Sequence, residues 1–267
     1  MNVGIATPQS TLFNAATRAE AERILELSDA LEVRDHACAL IASKLPRLYH
    51  CELSLVEPWG DADVAMVAAM IASHQPRVVS FHVHSPYVRP AIVGRRFVPT
   101  GVPMSEPAML ANAAANMARV RAAAGKRTYL IENNNCFPTG AYEIVGEPRF
   151  LSRLMENAGV GLLLDVGHAE ITAWYAKVSL HDYVGALPLE RVGQIHLSGI
   201  YRGTLDYEDA HEALTPGDWT TAGRIVRECP GLGFVTIEYY HHPGVLLDML
   251  ARLRSLVHQV RGSTARS

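Results

Sequence analysis

Short apolar stretches rich in β-branched and aromatic residues alternate along this chain with longer stretches of helical periodicity. Eight such pairs can be counted, and their alternation is typical of βα units that build a parallel sheet. The predicted strands are Val3–Ala6, Ala30–Val33, Leu48–Leu53, Val78–His82, Thr128–Glu132, Gly161–Asp165, Val192–Leu197 and Phe234–Glu238. The helical spacing is clearest over Thr17–Ser28, Asp61–Ser73, Pro107–Ala124 and Leu246–Val260. Eight units in 267 residues predict an α/β fold, the (β/α)8 TIM barrel.

An open, doubly wound sheet is the alternative fold for a chain that alternates strands and helices. Such sheets often carry a glycine-rich phosphate loop after the first strand. The segment Val3-Gly4-Ile5-Ala6-Thr7-Pro8 has a single glycine and does not match that loop. The pattern therefore favours one barrel domain over residues 1–261, followed by a polar tail, 262–267, that we expect to be disordered.

Residues that can bind metal ions collect at the ends of the predicted strands. In a TIM barrel the carboxyl ends of the strands meet at one mouth, where the chemistry takes place. Six of the predicted strands contain such a residue, most of them at or near the carboxyl end. Three more such residues follow in the adjoining loops. The candidate ligands are His50, His82, Glu132, Asp165, His168, His196, Asp209, His211 and Glu238.

This candidate set contains only imidazoles and carboxylates, which are metal ligands, and it contains no Lys or Arg. An isolated His on a strand is usually a core or surface residue, and an isolated Asp after a strand is usually a helix N-cap. The coincidence over successive strands favours the metal site. Because one ion takes roughly four to six ligands, the set implies two or three ions, with carboxylates such as Glu132 as bridges.

Two further polar residues are predicted to lie at the same mouth. His84 lies two residues after His82 and shares its face of an extended chain, so we expect it to line the pocket, either supporting a metal ligand or contacting substrate. Asn133 directly follows Glu132, and its amide is a candidate for the same role, with turn formation as the alternative. Gly167, between Asp165 and His168, is expected to ease a tight turn.

Composition limits the partners and the cellular location that we expect for the predicted enzyme. Lys and Arg number 24 against 27 Asp and Glu, and the resulting net charge of −3 argues against a nucleic-acid partner. The four cysteines form no CxxC pair and are expected to be reduced thiols. We find neither a signal-peptide pattern nor a run of about 18 apolar residues, so we expect a cytoplasmic protein without a membrane partner.

Several segments resemble the multinuclear non-haem iron-dependent oxidative enzymes, which include the iron subunit of methanobactin biosynthesis and the enzyme of 3-thiaglutamate biosynthesis. The similar segments are Tyr49-His50, Val79-Ser80-Phe81-His82, Tyr129-Leu130-Ile131-Glu132-Asn133, Leu163-Leu164-Asp165, Gln194-Ile195-His196-Leu197-Ser198-Gly199, Asp209-Ala210-His211-Glu212 and Thr236-Ile237-Glu238. The most specific is the stretch from Ile195 to Trp219, where a His-Leu-Ser-Gly strand end precedes Asp-x-His and a Trp that opens a helix.

This resemblance implies a TIM barrel that holds two or three irons in mixed ferrous and ferric states and uses dioxygen as the oxidant. The implied substrate is a ribosomally made precursor peptide, in which a cysteine or another residue is oxidatively modified. A small partner protein that recognises the leader peptide is implied as well. The metals would carry the chemistry, so the resemblance names no protein nucleophile or general base.

The same order of ligands is also similar to the wider xylose-isomerase-like superfamily, which includes endonuclease IV. His168 stands where some iron-dependent members carry Asn, so zinc or manganese remains an alternative to iron. The matching alternative functions are a Zn, Mn or Mg sugar isomerase or epimerase and an endonuclease-like hydrolase. The slightly acidic charge argues against the nuclease, as does the lack of a glycine-rich stretch after His211. A non-catalytic metal-binding or peptide-binding barrel is a third possibility.

Overall fold

The fold is a closed barrel of eight parallel strands. A computed structural model describes residues 3–10, 16–35, 43–204 and 206–264. The barrel strands are β1 (Gly4–Pro8), β2 (Ala30–Arg34), β3 (Arg47–Ser54), β4 (Val78–His82), β7 (Thr128–Glu132), β8 (Gly161–Asp165), β9 (Val192–Leu197) and β12 (Phe234–Ile237). Each strand pairs in parallel with its neighbours, and β1 closes the ring by pairing with both β2 and β12. The predicted single-domain TIM barrel is confirmed, and the open sheet is excluded.

Helices cover the outside of this barrel. They are α1 (Arg18–Leu27), α2 (Asp61–His74), α3 (Glu106–Ala124), α4 (Pro148–Ala158), α5 (Val166–Ala176), α6 (Leu180–Gly185), α7 (Pro216–Glu228) and α8 (Pro243–Thr264), with a 3₁₀ turn at Leu189–Arg191. Ser105 caps the start of α3 by accepting from the Ala108 backbone N–H, and Gly125 ends it with φ of 78°. None of the described helices has the length and apolar character needed to cross a bilayer.

The end of the chain differs in detail from the prediction. Helix α8 begins at Pro243, three residues before the predicted start, and it is helical through Thr264. Residues 265–267 of the predicted tail lie outside the described residues, as does Cys38. Cys51 and Cys136 are thiols, not disulfides.

Two antiparallel hairpins, whose strands are not among the eight predicted from sequence, extend from the mouth of the barrel. One consists of β5 (Ala91–Val93) and β6 (Arg96–Val98), and the other of β10 (Gly199–Arg202) and β11 (Tyr207–Glu212). Their strands are short and largely exposed or half-buried, so they lack the buried apolar alternation by which a strand is recognised in sequence. The second hairpin matters for function because β11 carries Asp209 and His211.

The barrel interior changes from apolar to polar along the strands. Because side chains alternate between the two faces of a strand, every second residue points into the barrel. The inner layer near the amino ends is apolar, with Ala6, Ala30, Leu48, Val78, Leu130 and Leu163 in mutual contact. Two residues further along each strand, the corresponding positions include Glu32, His50, Ser80, Glu132 and Asp165. The strand pattern itself therefore directs the polar side chains into one cavity at the carboxyl ends.

Candidate metal centre

Glu132, at the end of β7, is surrounded by three imidazoles. Its Oε2 atom lies 2.9 Å from His82 Nδ1 and 3.5 Å from His50 Nε2. Its other oxygen, Oε1, lies 3.2 Å from His196 Nδ1. The three histidines come from β4 and β3, on one side of β7 in the barrel, and from β9, on the other side beyond β8. One buried carboxylate is thus shared by ligand candidates from three different strands.

The remaining candidates continue this cluster on the side of β8 and β12. Glu238 lies 3.4 Å from His196 Nδ1 through Oε1 and 3.2 Å from His211 Nε2 through Oε2. His211 Nδ1 in turn lies 3.5 Å from Asp209 Oδ1. Asp209 Oδ2 is 3.4 Å from His168 Nε2, which is 4.0 Å from Asp165 Oδ2. Short contacts therefore connect all nine predicted ligands into one cluster.

Asp165 serves two purposes at the junction of β8 and α5. Its Oδ1 atom accepts a hydrogen bond from the His168 backbone N–H at 2.7 Å and so caps the helix, whereas Oδ2 faces the cavity. Asp165 can therefore be a helix N-cap through one oxygen and a metal ligand through the other. This cap also turns the first residues of α5 so that the His168 ring reaches Asp209.

Asn133 fixes the end of β8. Its side-chain Nδ2 donates to the Asp165 carbonyl and its Oδ1 accepts from the Asp165 backbone N–H, both at 2.9 Å. Its own carbonyl oxygen lies 3.0 Å from His168 Nδ1. The amide is fully buried and used within the protein. This geometry supports a positioning role for Asn133, and its predicted contact with substrate stays a prediction.

His84 extends the row of rings from the cluster toward the first hairpin. Its ring stacks on His82 at 4.8 Å between centroids, and the ring of Phe97 in β6 lies 5.0 Å from it on the hairpin side. Burial, with the neighbouring His82, holds the pKa of His84 well below its usual value. A neutral imidazole in this place forms part of the cavity wall, and its contact with substrate stays a prediction.

His211 adopts a left-handed backbone conformation, with φ of 50°. For a residue with a side chain this conformation is uncommon and costs free energy, so the surroundings must hold it. It lies where the pairing of β10 with β11 shifts register, and its ring packs on Tyr240 at 5.0 Å. Tyr240 in turn donates a hydrogen bond to Glu238 Oε1 at 3.3 Å. These contacts aim the His211 ring at Glu238.

Many of the cavity-facing atoms have no hydrogen-bond partner. Among the described residues, the buried polar atoms in this state include six from predicted ligands: His50 Nε2, His82 Nε2, Glu132 Oε2, Asp165 Oδ2, His196 Nδ1 and Asp209 Oδ1. Buried polar atoms are normally satisfied, because an unsatisfied one costs about 1–3 kcal/mol. Electron-pair donors that face each other across a short gap need a cation between them. The donor set, nitrogen and oxygen without thiolate, therefore fits metal ions such as iron, zinc or manganese.

Among the residues that the structure describes, three groups of side chains are compact enough for one ion each. They are His50, Glu132 and His196; Glu32, His196 and Glu238; and Glu132, Asp165 and His168. Within each group the three ligand atoms all lie within 4.8 Å of one another. Because Glu132 belongs to two of the groups, it has the position expected of a bridging carboxylate.

Some ligands are already in the protonation state that binds metal and others are not. Burial alone would raise the pKa of Glu132, but the imidazoles of His50 and His82 lower it well below its usual range. Burial lowers the pKa of His50, which keeps that imidazole neutral near pH 7. Burial raises the pKa of Asp165 to about 6; His168 opposes this shift, and Glu132 adds to it. Ionised carboxylates and neutral imidazoles are the forms that bind metal. Although burial acts to lower them, the pKa values of His168, His196 and His211 are raised by neighbouring carboxylates, so an ion bound there would replace a proton.

Strands β2 and β3 contribute three charged residues that the sequence analysis did not single out, namely Glu32, Arg34 and Glu52. Arg34 contacts Glu238 and lies 3.3 Å from Glu52, and Glu52 lies 3.6 Å from His82 Nε2. The available signal was a pair of charges at alternate positions in the otherwise apolar strand Ala30–Arg34. In a strand buried on both faces, such an alternation indicates a polar cavity on one of them.

Gly167 is needed for close packing rather than for a turn, which corrects the expectation from sequence. It lies in the first turn of α5, and a Cβ atom there would be 2.5 Å from Ser198 Oγ and 3.0 Å from a methyl carbon of Ile200. We expect Gly167→Ala to lower the free energy of unfolding by about 1–3 kcal/mol, the usual cost of overpacking. Urea unfolding followed by circular dichroism measures this.

Gly185→Ala in α6 is the matched control, because a Cβ atom at Gly185 meets nothing within 4 Å. It should leave the stability within about 1 kcal/mol of the parent or raise it slightly, as alanine favours helices. Equal stabilities for the two variants would contradict the packing argument.

The fold and the centre together define a class of protein. A closed barrel of parallel strands with imidazoles and carboxylates at their carboxyl ends is a TIM barrel with a candidate metal centre. Within that class, the chain belongs to the family described as "RiPP precursor modification enzyme MbnB/TglH/ChrH", whose sequence model matches residues 30–238. RiPP stands for ribosomally synthesised and post-translationally modified peptide. The matched range includes all nine predicted ligands.

Curated relatives match part of the chain. A UPF0276 protein of Caulobacter vibrioides is 33% identical over 115 residues, which are 43% of this chain and 40% of that protein. A UPF0276 protein of Paraburkholderia phytofirmans is 36% identical over 74 residues, 28% of this chain and 24% of that protein. The chain thus aligns with less than half the length of these relatives.

Among solved structures, a xylose isomerase-like TIM barrel protein from Mycobacterium smegmatis in complex with magnesium has a TM-score of 0.63 at 15% identity, covering 97% of both chains. Mannonate dehydratase from Streptococcus suis serotype 2 has a TM-score of 0.64 at 11% identity, covering 99% of this chain and 96% of that chain. At such low identity these likenesses establish the fold alone.

Proposed function

We propose that this protein is a multinuclear non-haem iron enzyme that uses dioxygen to modify a cysteine, or another residue, in a ribosomally made precursor peptide. Membership of a RiPP precursor modification family supports a peptide-modifying enzyme. The proposal that the protein binds metal ions rests on one observation: buried ligand atoms without hydrogen-bond partners converge around Glu132. Substrate, oxidant and the leader-recognising partner protein rest on the resemblance described above.

Glu132 connects the proposed ligands. His50, His82 and His196 lie around its two oxygens, and it also forms a compact group with Asp165 and His168. Asp209, His211 and Glu238 complete the set at the second hairpin and β12. Ligation by imidazole and carboxylate suits iron, which when bound would supply the redox chemistry of the reaction. Zinc or manganese could occupy the same donors, so the metal content has to be measured.

The protein's own residues would shape the approach of the peptide. The first hairpin is attached to the second, because the Arg95 guanidinium donates to the Asp209 carbonyl oxygen at 2.9 Å. Phe97 and His84 form an aromatic wall beside the ligand His82. This wall would keep water from that side of the cavity and give an apolar surface to an incoming side chain.

The test is aerobic incubation of the iron-loaded protein with the precursor peptide encoded beside its gene, with any small neighbouring partner protein added. We expect a change in the mass of the peptide that requires both iron and dioxygen. Mass spectrometry and metal analysis measure this. An unchanged peptide with every neighbouring protein supplied would contradict the proposal. A colourless zinc protein that acts on a sugar without air would support the isomerase alternative instead.

A further inference from the structure

Glu32 is a carboxylate buried inside the barrel, below the nine predicted ligands. It lies on β2 beside Leu48 of β3, and only 1% of its surface is exposed. A buried carboxylate loses its hydration, which is costly unless specific partners replace the water. The contacts of the Glu32 carboxylate should therefore show what it does inside the barrel.

Two side chains from β9 meet the same oxygen of Glu32. Gln194 Nε2 donates to Oε2 at 2.6 Å, and His196 Nε2 lies 3.0 Å from that atom. The second N–H of the Gln194 amide is used by Thr236 Oγ1 at 3.0 Å. A carboxylate can only accept, so His196 Nε2 carries the hydrogen that it donates to Glu32. Gln194 Nε2 also lies 3.1 Å from His196 Nε2, but Glu32 and Thr236 already take both hydrogens of the amide, so it does not donate to the imidazole.

This hydrogen bond determines what the other nitrogen of His196 can do. A neutral imidazole with its hydrogen on Nε2 has its lone pair on Nδ1. His196 Nδ1 lies 3.2 Å from Glu132 Oε1 and 3.4 Å from Glu238 Oε1, among the ligand atoms of the proposed centre. The ring is fully buried, so it has no room to turn and exchange its two nitrogens.

We infer that Glu32 is a positioning residue that holds His196 with Nδ1 directed at the metal centre. The inference rests on the metal centre of the proposed function but not on iron, dioxygen or the peptide. A carboxylate behind a ligating histidine fixes its tautomer and strengthens it as a donor, and losing such a partner typically lowers metal affinity about 10–100-fold. Glu32 would thus act on the centre through His196. It would not be the ligand that its group with His196 and Glu238 also allows, because its Oε2 atom already accepts from Gln194 and His196.

The experiment compares Glu32→Gln with the parent by titrating each metal-free, full-length protein with Co²⁺. The amide has the same size but no charge, and its oxygen can still accept from both Gln194 and His196, so the variant removes the negative charge that strengthens His196 as a donor. We expect affinity for the ion bound by His196 to fall about 10–100-fold, with a changed visible absorption spectrum at saturation. The spectrum reports coordination, so a purely structural role would not alter it.

Glu57→Gln is the matched control. Glu57 is a half-buried carboxylate that accepts from the Arg89 backbone N–H at 3.3 Å and touches none of the nine ligands. Its replacement should leave both Co²⁺ affinity and spectrum at parent values. If Glu32→Gln cannot be purified in folded form, Gln194→Met removes the amide that orients Glu32 and should weaken Co²⁺ binding by a smaller factor, about threefold.

The outcomes separate this inference from the proposed function. Parent-like affinity and spectrum in the folded variant would overturn the role of Glu32 while leaving the metal centre intact. A parent protein that binds no Co²⁺ would overturn both, because the centre itself would be wrong. If the parent binds Co²⁺ and the variant shows the expected loss of affinity, the positioning role of Glu32 would be supported even if no peptide were modified.

Discussion

Replacing Glu132 with Gln is expected to remove at least one metal ion per chain and to lower peptide modification by more than about 100-fold. Three imidazoles from different strands approach this one carboxylate, and its two oxygens point to different histidines. Loss of an outer partner of a ligand already costs about 10–100-fold in metal affinity, so loss of a shared ligand should cost more. Metal analysis of the purified protein and the peptide mass assay measure the two effects.

Glu147→Gln is a suitable control for this variant, because it removes the same charge from an exposed residue at the start of α4. We expect parent metal content and activity for it. Full metal content in Glu132→Gln would mean that the carboxylate does not bridge ions. Full metal content with lost activity would instead assign Glu132 a role in the reaction alone.

Most of the barrel could be predicted from sequence because its strands are buried on both faces. Such strands appear as continuous apolar runs, and β4, β7, β8 and β9 have the predicted boundaries. The nine candidate ligands followed from one geometric rule, that the carboxyl ends of barrel strands share a mouth. That rule places residues from across the chain together without any knowledge of the loops.

The parts that sequence did not predict depend on pairing and on contacts between distant residues. The hairpin that carries Asp209 and His211 consists of short strands stabilised by each other, so neither has a distinct pattern. Glu32 is 162 residues from Gln194 and 164 from His196 in the chain, and only barrel closure brings them together. The role of Gly167 likewise appears only when Ser198 is placed beside it.

Removal of bound metal is expected to lower the melting temperature by roughly 10 °C for each tightly bound ion. The barrel interior gathers the carboxylates of Glu32, Glu132, Asp165 and Glu238. Without a bound cation only Arg34 and the neighbouring imidazoles balance these charges, and burial together with the nearby carboxylates still raises the pKa of Asp165 to about 6. An ion present at about 1,000 times its dissociation constant adds about 4 kcal/mol to the stability of the folded state. For a chain of this size each kcal/mol moves the midpoint by about 2–4 °C.

Calorimetry on chelator-treated and reconstituted protein measures this shift, and the metal content of each sample is determined in parallel. Glu132→Gln, treated in the same way, should regain less of the midpoint than the parent, because fewer of the gathered charges can then be bridged. Comparing the parent with Glu132→Gln shows where the stabilising ion binds. An ion bound away from Glu132 would raise the melting temperatures of both proteins equally. An unchanged midpoint in parent protein that takes up stoichiometric metal would contradict the view that these buried carboxylates need cations.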